Sequence, residues 1–275
     1  MNLKQAEKTA MKAAGAAGEL MRRNLRSTKT INSATQHDIK LELDVRCQKL
    51  IEQTLRSAFP SIAVLGEEGT LGDTDSDYRW VVDPIDGTVN FTYGIPHACV
   101  SIALQMRNGE CGVRNSRGKQ VDVLDSGEMY QTLVGVVYDP FCDELWTAIR
   151  GRRAYLNGTV IRVSDRSRLS ETIVSIGFAK YKTTLNEMIP VLNRMVHRVR
   201  KIRVMGSAAL AMTYVASGRM DAYVEAGIRL WDIAAGGLIL ECAGGDFWHE
   251  PLPGRHKYRV LANNGLLRRK LGALV

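Results

Sequence analysis

Residues 80–91 read WVVDPIDGTVNF. An apolar run leads into Asp83 and Asp86, which flank Pro84 and Ile85 and are followed at once by Gly87 and Thr88. Two unpaired carboxylates about 4 Å apart repel by roughly 4 kcal/mol at an effective dielectric near 20, so the arrangement needs compensation. Residues 78–82 have strand character, and Pro84 offers no N–H to a ladder, which predicts that the strand ends at Asp83 and turns. The turn brings Asp83 and Asp86 to one side and leaves the Ile85 carbonyl free of sheet pairing. That is a cluster of hard oxygen donors, suited to Mg²⁺ rather than zinc. Gly87 leaves room for a ligand's approach, and Thr88 is placed to open a short helix whose N–H groups face an anion. D-P-x-D-G is also ordinary turn chemistry, in which aspartates merely cap backbone groups.

Other carboxylates decide between the two readings. Glu67 and Glu68, in VLGEEG, follow another short strand, a position where a Glu pair commonly faces solvent. Asp232, in RLWDIAAGG, opens an apolar, small-residue helix, where a simple N-cap is the ordinary explanation. Asp44 sits beside the apolar stripe of a second helix, where an exposed i,i+4 contact is the ordinary explanation. Each explanation is adequate singly. Together, carboxylates at element ends or beside a core stripe, next to a Gly-Thr anion cradle, point to a metal cluster.

The surrounding pattern is two helices, then a meander of strands, then alternation. Helical spacing covers the first ~25 residues and resumes from Asp38, with Leu43, Cys47, Leu50, Ile51 and Leu55 on one face. Strands are expected at 62–65, 78–82, 98–106 and 133–138, with a long polar hairpin loop between 106 and 133. Beyond it come strands near Leu145 and Ala154 and at 173–177, a helix at 185–199 and a strand at 202–205. A helix at 208–216, a strand at 221–225, a helix at 231–242 and a strand near Val260 follow. Sheets covered by helices result.

At 275 residues the chain is near the size at which one core divides, which predicts two closely packed lobes. No apolar run is long enough to span a bilayer, and the N-terminal Lys4, Lys8 and Lys12 interrupt any signal-like segment, so a cytoplasmic protein is expected. Five scattered cysteines without a CxxC argue against a disulfide framework or a zinc ribbon and predict reduced, mostly core thiols. The five histidines show no paired spacing. The net charge of +8 is concentrated after residue 100, where 25 Lys and Arg face 16 Asp and Glu. Such a surface draws in anionic substrates. Its densest run, RMVHRVRKIR at 194–203, lacks interleaved aromatics and reads as a solvated helix-to-strand junction.

GEE at 66–68, DPIDGT at 83–88 and WDIAAGG at 231–237 resemble, in order and spacing, the signature motifs of the inositol monophosphatase family. GVVYDP (135–140), DELWTA (143–148), GSAAL (206–210) and YVEAGIRLWD (223–232) extend the resemblance over nearly the whole chain. It implies an α+β or α/β fold of the layered αβαβα sugar-phosphatase type. Residues 1–140 would form an N-terminal lobe with most metal ligands, and 141–275 a C-terminal α/β lobe with Asp232 and the substrate side. It further implies two or three Mg²⁺ ions, one on Glu67, Asp83 and the Ile85 carbonyl, a second on Asp83, Asp86 and Asp232, and a weaker third near Glu67. Asp44 and Thr88 would orient the attacking water, with Glu67 helping through its metal. Gly87 and Thr88 N–H groups would hold phosphate, and Glu225 would bind substrate hydroxyls beside Gly206, Ser207, Ala208, Asp86 and Asp232. Hydrolysis of an inositol monophosphate by in-line attack of an activated water, lithium sensitivity and a homodimer are the implied properties.

Related activities, on fructose 1,6-bisphosphate, histidinol phosphate or adenosine 3′,5′-bisphosphate, are the alternatives within the superfamily. An alternative of another class is a regulatory protein that binds RNA or the transcription apparatus through its basic C-terminal part. Two stretches depart from the family: the polar segment 107–131 is longer, and Gly151-Arg152-Arg153-Ala154 stands where Gly-x-Gly-Ala is usual.

Overall fold

The computed structural model describes residues 1–34, 39–107, 130–178 and 182–275. Helix α1 (Leu3–Asn24) opens with the Asn2 side chain accepting from Gln5 N, and buries a face of small residues, Ala6, Ala10, Ala13, Ala14 and Ala17. A two-stranded hairpin, β1 (Ile31–Ala34) and β2 (Ile39–Leu41), leads into α2 (Glu42–Ala58). The helix expected from Asp38 therefore starts at Glu42, because Leu41 stays extended and its N–H is taken by the Asp44 carboxylate. Asp38 itself lies outside the described residues.

The first sheet has eight strands: β3 (Ala63–Gly66), β4 (Gly69–Leu71), β5 (Tyr78–Asp86), β6 (Cys99–Arg107), β7 (Tyr130–Asp139), β8 (Glu144–Ile149), β9 (Ala154–Leu156) and β10 (Thr159–Val160). Their order is β10-β9-β8-β7-β6-β5-β3-β4, antiparallel except where β3 meets β5. A short helix, α3 (Thr88–Thr92), joins β5 to β6. The long hairpin loop expected between β6 and β7 falls largely on 108–129, outside the described residues, and β7 starts at Tyr130, earlier than 133.

The second sheet has order β12-β11-β13-β15-β14, built from β11 (Ile173–Ile176), β12 (Lys201–Arg203), β13 (Ala222–Arg229), β14 (Asp246–Pro251) and β15 (Lys257–Asn263). Helices α4 (Lys182–Val196), α5 (Ala208–Ala216), α6 (Leu230–Cys242) and α7 (Arg268–Gly272) complete the chain. β14, α7 and the β1–β2 hairpin have no counterpart in the sequence reading, and β13 runs four residues beyond the expected 225.

Helix composition sorts the layers. α5 and α6 bury residues on all sides, as a helix between two sheets must. They share a core with Val81, Cys99 and Ala103 of the first sheet and Tyr223, Val260 and Ala262 of the second. α1 and α2 are amphipathic and cover the other face of the first sheet over Trp80, Val82, Val100 and Ile102. α4 and α7 cover the far face of the second, over Val174, Val224 and Leu261. The result is the αβαβα layering implied by the family resemblance. Among the described residues, no helix is long and apolar enough to cross a membrane. The basic run 194–203 forms the exposed end of α4 and the edge strand β12, the junction expected. Of the four described cysteines, Cys47 and Cys99 are buried, Cys242 is half-buried and Cys142 is exposed, so fewer are core than expected.

Candidate metal centre

β5 does not end at Asp83. It continues through Pro84 to Asp86, and its register on β6 shifts on the way: Asp83 pairs with Ser101 and Asp86 with Cys99. Three steps on β5 match two on β6, which is a one-residue bulge at Pro84–Ile85. In a regular strand, residues three apart point to opposite faces. The extra residue cancels that alternation and turns both aspartates towards the α5/α6 layer. A bulge is also where a strand tolerates a residue without N–H, so proline and the paired carboxylates have one structural cause.

Asp232 joins them from α6. One oxygen each of Asp83, Asp86 and Asp232 lies within 4.8 Å of the others. Asp83 and Asp86 are 2% and 8% exposed, so they meet largely out of water. Backbone N–H groups orient all three. Ile85 N donates to Asp83 Oδ1 (3.0 Å), and Arg229 N to Asp232 Oδ2 (3.0 Å). Asp86 sits over the start of α5, accepting from Ala209 N (2.7 Å), Ser207 Oγ (2.7 Å) and Ala208 N (3.3 Å). The N-terminal ends of α5 and α6 thus bear on the cluster and offset part of its charge.

The offset is incomplete. Burial, then the charges of Glu67, Asp86 and Asp232, hold the Asp83 carboxyl well above the usual range. Burial raises Asp86 despite its donors. Burial and then the Asp86 charge push Asp232 up to about 7. Three hard-oxygen donors under mutual repulsion fit a divalent cation of the Mg²⁺ type, which would relieve the repulsion and release the protons.

The other expected residues take distinct places. Glu67 is half-buried in the turn after β3 and acts on Asp83 through its charge, but is not in the group drawn within 4.8 Å. Its turn is fixed by Glu67 N donating to Val82 O (3.1 Å). Gln48 of α2 adds to this, accepting from Glu68 N (2.9 Å) and donating to Gly69 O (3.1 Å). Asp44 is 2% exposed, not the exposed i,i+4 residue of the ordinary explanation. At the third position of α2 it accepts from Leu41 N (2.8 Å). Asp232 is likewise the third residue of its helix rather than the cap, reaching back to Arg229. The two helices start by the same device.

Thr88 opens α3 as expected, and its Oγ1 donates to the Ile85 carbonyl (2.8 Å). That carbonyl retains a second lone pair. Gly87 is needed by the backbone itself. Its φ is 93°, and a Cβ there would stand 3.0 Å from His97 O and 3.2 Å from Gly206 O. Ser207 is the N-cap of α5, with Oγ donating to Asp86 and accepting from Leu210 N (3.3 Å). Gly206 precedes it, and Ala208 is the first helical residue. Glu225 lies within β13, where its carboxylate accepts from the Tyr223 hydroxyl.

Three bracing residues escaped the sequence reading. Gln48 holds the Glu67 turn. Asn90 Nδ2 donates to His97 O and Met205 O (2.9 Å each), tying α3 to the loop before α5. His97 lies within electrostatic range of Asp86. A sequence signal existed for Asn90 alone of the three: asparagine is a poor helix former, and here it stands within the first turn after D-G-T-V.

The fold and the family are matched by known proteins. The inositol monophosphatase family profile matches residues 2–113 and 127–269. Inositol monophosphatase 2 of Solanum lycopersicum is 37% identical over 244 residues, spanning 86% of this chain and 84% of the relative. Nus factor SuhB of Pasteurella multocida is 36% identical over 240 residues, spanning 86% and 82%. The crystal structure of extragenic suppressor protein suhB from Bartonella henselae has a TM-score of 0.83 at 32% identity, covering 98% of each chain. Because the family profile spans nearly the whole chain, the chain belongs to the inositol monophosphatase family.

Proposed function

We propose that the chain is a Mg²⁺-dependent phosphomonoesterase that hydrolyses inositol monophosphate to inositol and phosphate. The observation that carries it is the trio Asp83, Asp86 and Asp232, drawn within 4.8 Å, with all three carboxyls raised by burial first and Asp83 and Asp232 further by neighbouring carboxylate charge. Carboxylates so placed cost stability unless a cation joins them. The naming of a 37%-identical plant relative as an inositol monophosphatase supports the substrate class.

In this reading Glu67, Asp83 and the Ile85 carbonyl hold one ion, Asp83, Asp86 and Asp232 a second, and Glu67 contributes to a weaker third. Bound Mg²⁺ would supply a water of lowered pKa and offset charge on the phosphate and the departing alkoxide. Asp44 and Thr88 orient the attacking water, and the Gly87 and Thr88 N–H groups hold phosphate oxygens. Glu225, with the Gly206–Ser207–Ala208 segment, faces the substrate's hydroxyl side. Asp86 and Asp232 serve both metal and substrate. A homodimer completes the proposal.

The test is phosphate release with Mg²⁺ and with EDTA across inositol 1-phosphate, fructose 1,6-bisphosphate, histidinol phosphate and adenosine 3′,5′-bisphosphate. Undiminished activity in EDTA sinks the mechanism, and preference for another ester reassigns the substrate. A second reading, a role in transcription, is favoured by the name Nus factor SuhB of the 36%-identical relative and by the exposed basic run 194–203. RNA binding that weakens steeply with salt and survives Asp86→Asn supports it; no binding at low salt rejects it.

A further inference from the structure

Tyr223 and Glu225 lie two apart on β13, on the face turned to the α5/α6 layer, and the Tyr223 hydroxyl donates to Glu225 Oε2. The phenol is 2% exposed, and the charges of Glu225, Asp86 and Asp232 all bear on it. It therefore lies within electrostatic range of both Glu225 and two members of the carboxylate trio, Asp86 and Asp232. Burial and those negative neighbours keep the hydroxyl protonated, so it remains a donor.

The same oxygen is also confined by an absence. Gly177 follows β11, with its N–H donating to Val224 O (3.0 Å), and any Cβ there would overlap Glu225 Oε2. The glutamate thus fills a slot that exists because residue 177 has no side chain. A glutamate has three rotatable bonds, and fixing them costs up to about 2 kcal/mol of entropy. Here the protein has met that cost in advance, as a preorganised recognition group requires.

We propose that Tyr223 and Gly177 together clamp Glu225 Oε2, and that Tyr223 is a positioning residue that sets selectivity for hydroxyl-bearing phosphate esters over esters lacking hydroxyls. The inference rests on the phosphatase reading and deepens it. Tyr223 touches no reacting atom; it acts by aiming the carboxylate that accepts a substrate hydroxyl. Ring and hydroxyl are separable, because the ring belongs to the middle core and Tyr223→Phe keeps it.

The experiment measures kcat and KM with Mg²⁺ for inositol 1-phosphate and for p-nitrophenyl phosphate, whose alcohol part has no hydroxyl to recognise. The proteins are wild type, Tyr223→Phe, Glu225→Ala, the double variant and Gly177→Ala. The ratio of the two kcat/KM values is expected to fall roughly tenfold in Tyr223→Phe, mainly through KM for the inositol ester. In a Glu225→Ala background Tyr223→Phe should cost nothing further, because no acceptor is left for the phenol to aim. Gly177→Ala should lower the ratio with the tyrosine intact. A ratio unchanged in Tyr223→Phe, or additive losses in the double variant, would overturn the clamp while leaving a Mg²⁺-dependent phosphatase standing. A wild type that releases no phosphate from either ester overturns the phosphatase reading and the clamp with it.

Discussion

Replacing Asp232 by Asn tests whether the trio is a cation site under electrostatic load. The volume is conserved, and the amide oxygen still accepts from Arg229 N, so the start of α6 survives. In the metal-free wild type the Asp232 carboxyl is pushed from 3.8 to about 7, by burial first and the Asp86 charge second. A raised carboxyl pKa means that the folded chain keeps a proton which the unfolded chain has released. Its contribution to stability is therefore complete at low pH and lost as pH rises. The slope is about 1.4 kcal/mol per pH unit between roughly pH 4 and pH 7. Asp232 is partly exposed, which lets solvent screen the effect, so the total is about 2 to 4 kcal/mol. Asp83 is shifted the same way and adds to the loss.

Urea unfolding in EDTA reads this directly. At about pH 8 the wild type should be less stable than Asp232→Asn by about 2 to 4 kcal/mol, and the gap should shrink at about pH 5. Adding Mg²⁺ should stabilise the wild type and leave the variant almost unmoved, because binding to the folded state alone raises stability. Equal stabilities in EDTA at about pH 8, or an equal response to Mg²⁺, would refute the reasoning.

Asp86→Asn should lower turnover about 100-fold or more while retaining a cooperative unfolding transition, since the amide oxygen still accepts from Ala209 N; turnover near wild type would remove Asp86 from the metal site. Gly87→Ala meets a φ of 93° and a carbonyl at 3.0 Å, so denaturant unfolding should show a loss of about 1 to 3 kcal/mol, and an unchanged midpoint would contradict that strain. Gln48→Ala releases the turn that carries Glu67, and calorimetric titration should show Mg²⁺ affinity about tenfold weaker; unchanged affinity would separate that turn from the metal.

The chemistry of the site was legible because its letters are local. DPIDGT, GEE and WDIAAGG each carry oxygen donors at an element boundary, and strand and helix periods around them place those boundaries to within a few residues. The layering was legible for the same reason: α5 and α6 lack a polar face, which only a position between two sheets permits. What short-range pattern could not supply was register and reach. Pro84 reads as a strand end, yet pairing with β6 carries the strand past it and turns the interruption into the bulge that puts Asp83 and Asp86 on one face. Asp44 taken alone has an exposed i,i+4 contact as its ordinary explanation, yet a backbone N–H three residues earlier draws it inward. Gln48, Asn90 and the Tyr223–Glu225–Gly177 slot depend on contacts between elements 20 to 115 residues apart, or on two strands side by side. Periodicity reports which face of an element is apolar. Which carboxylate meets which backbone amide is settled when the layers close, because only then do the two helix starts and the bulged strand converge on one point.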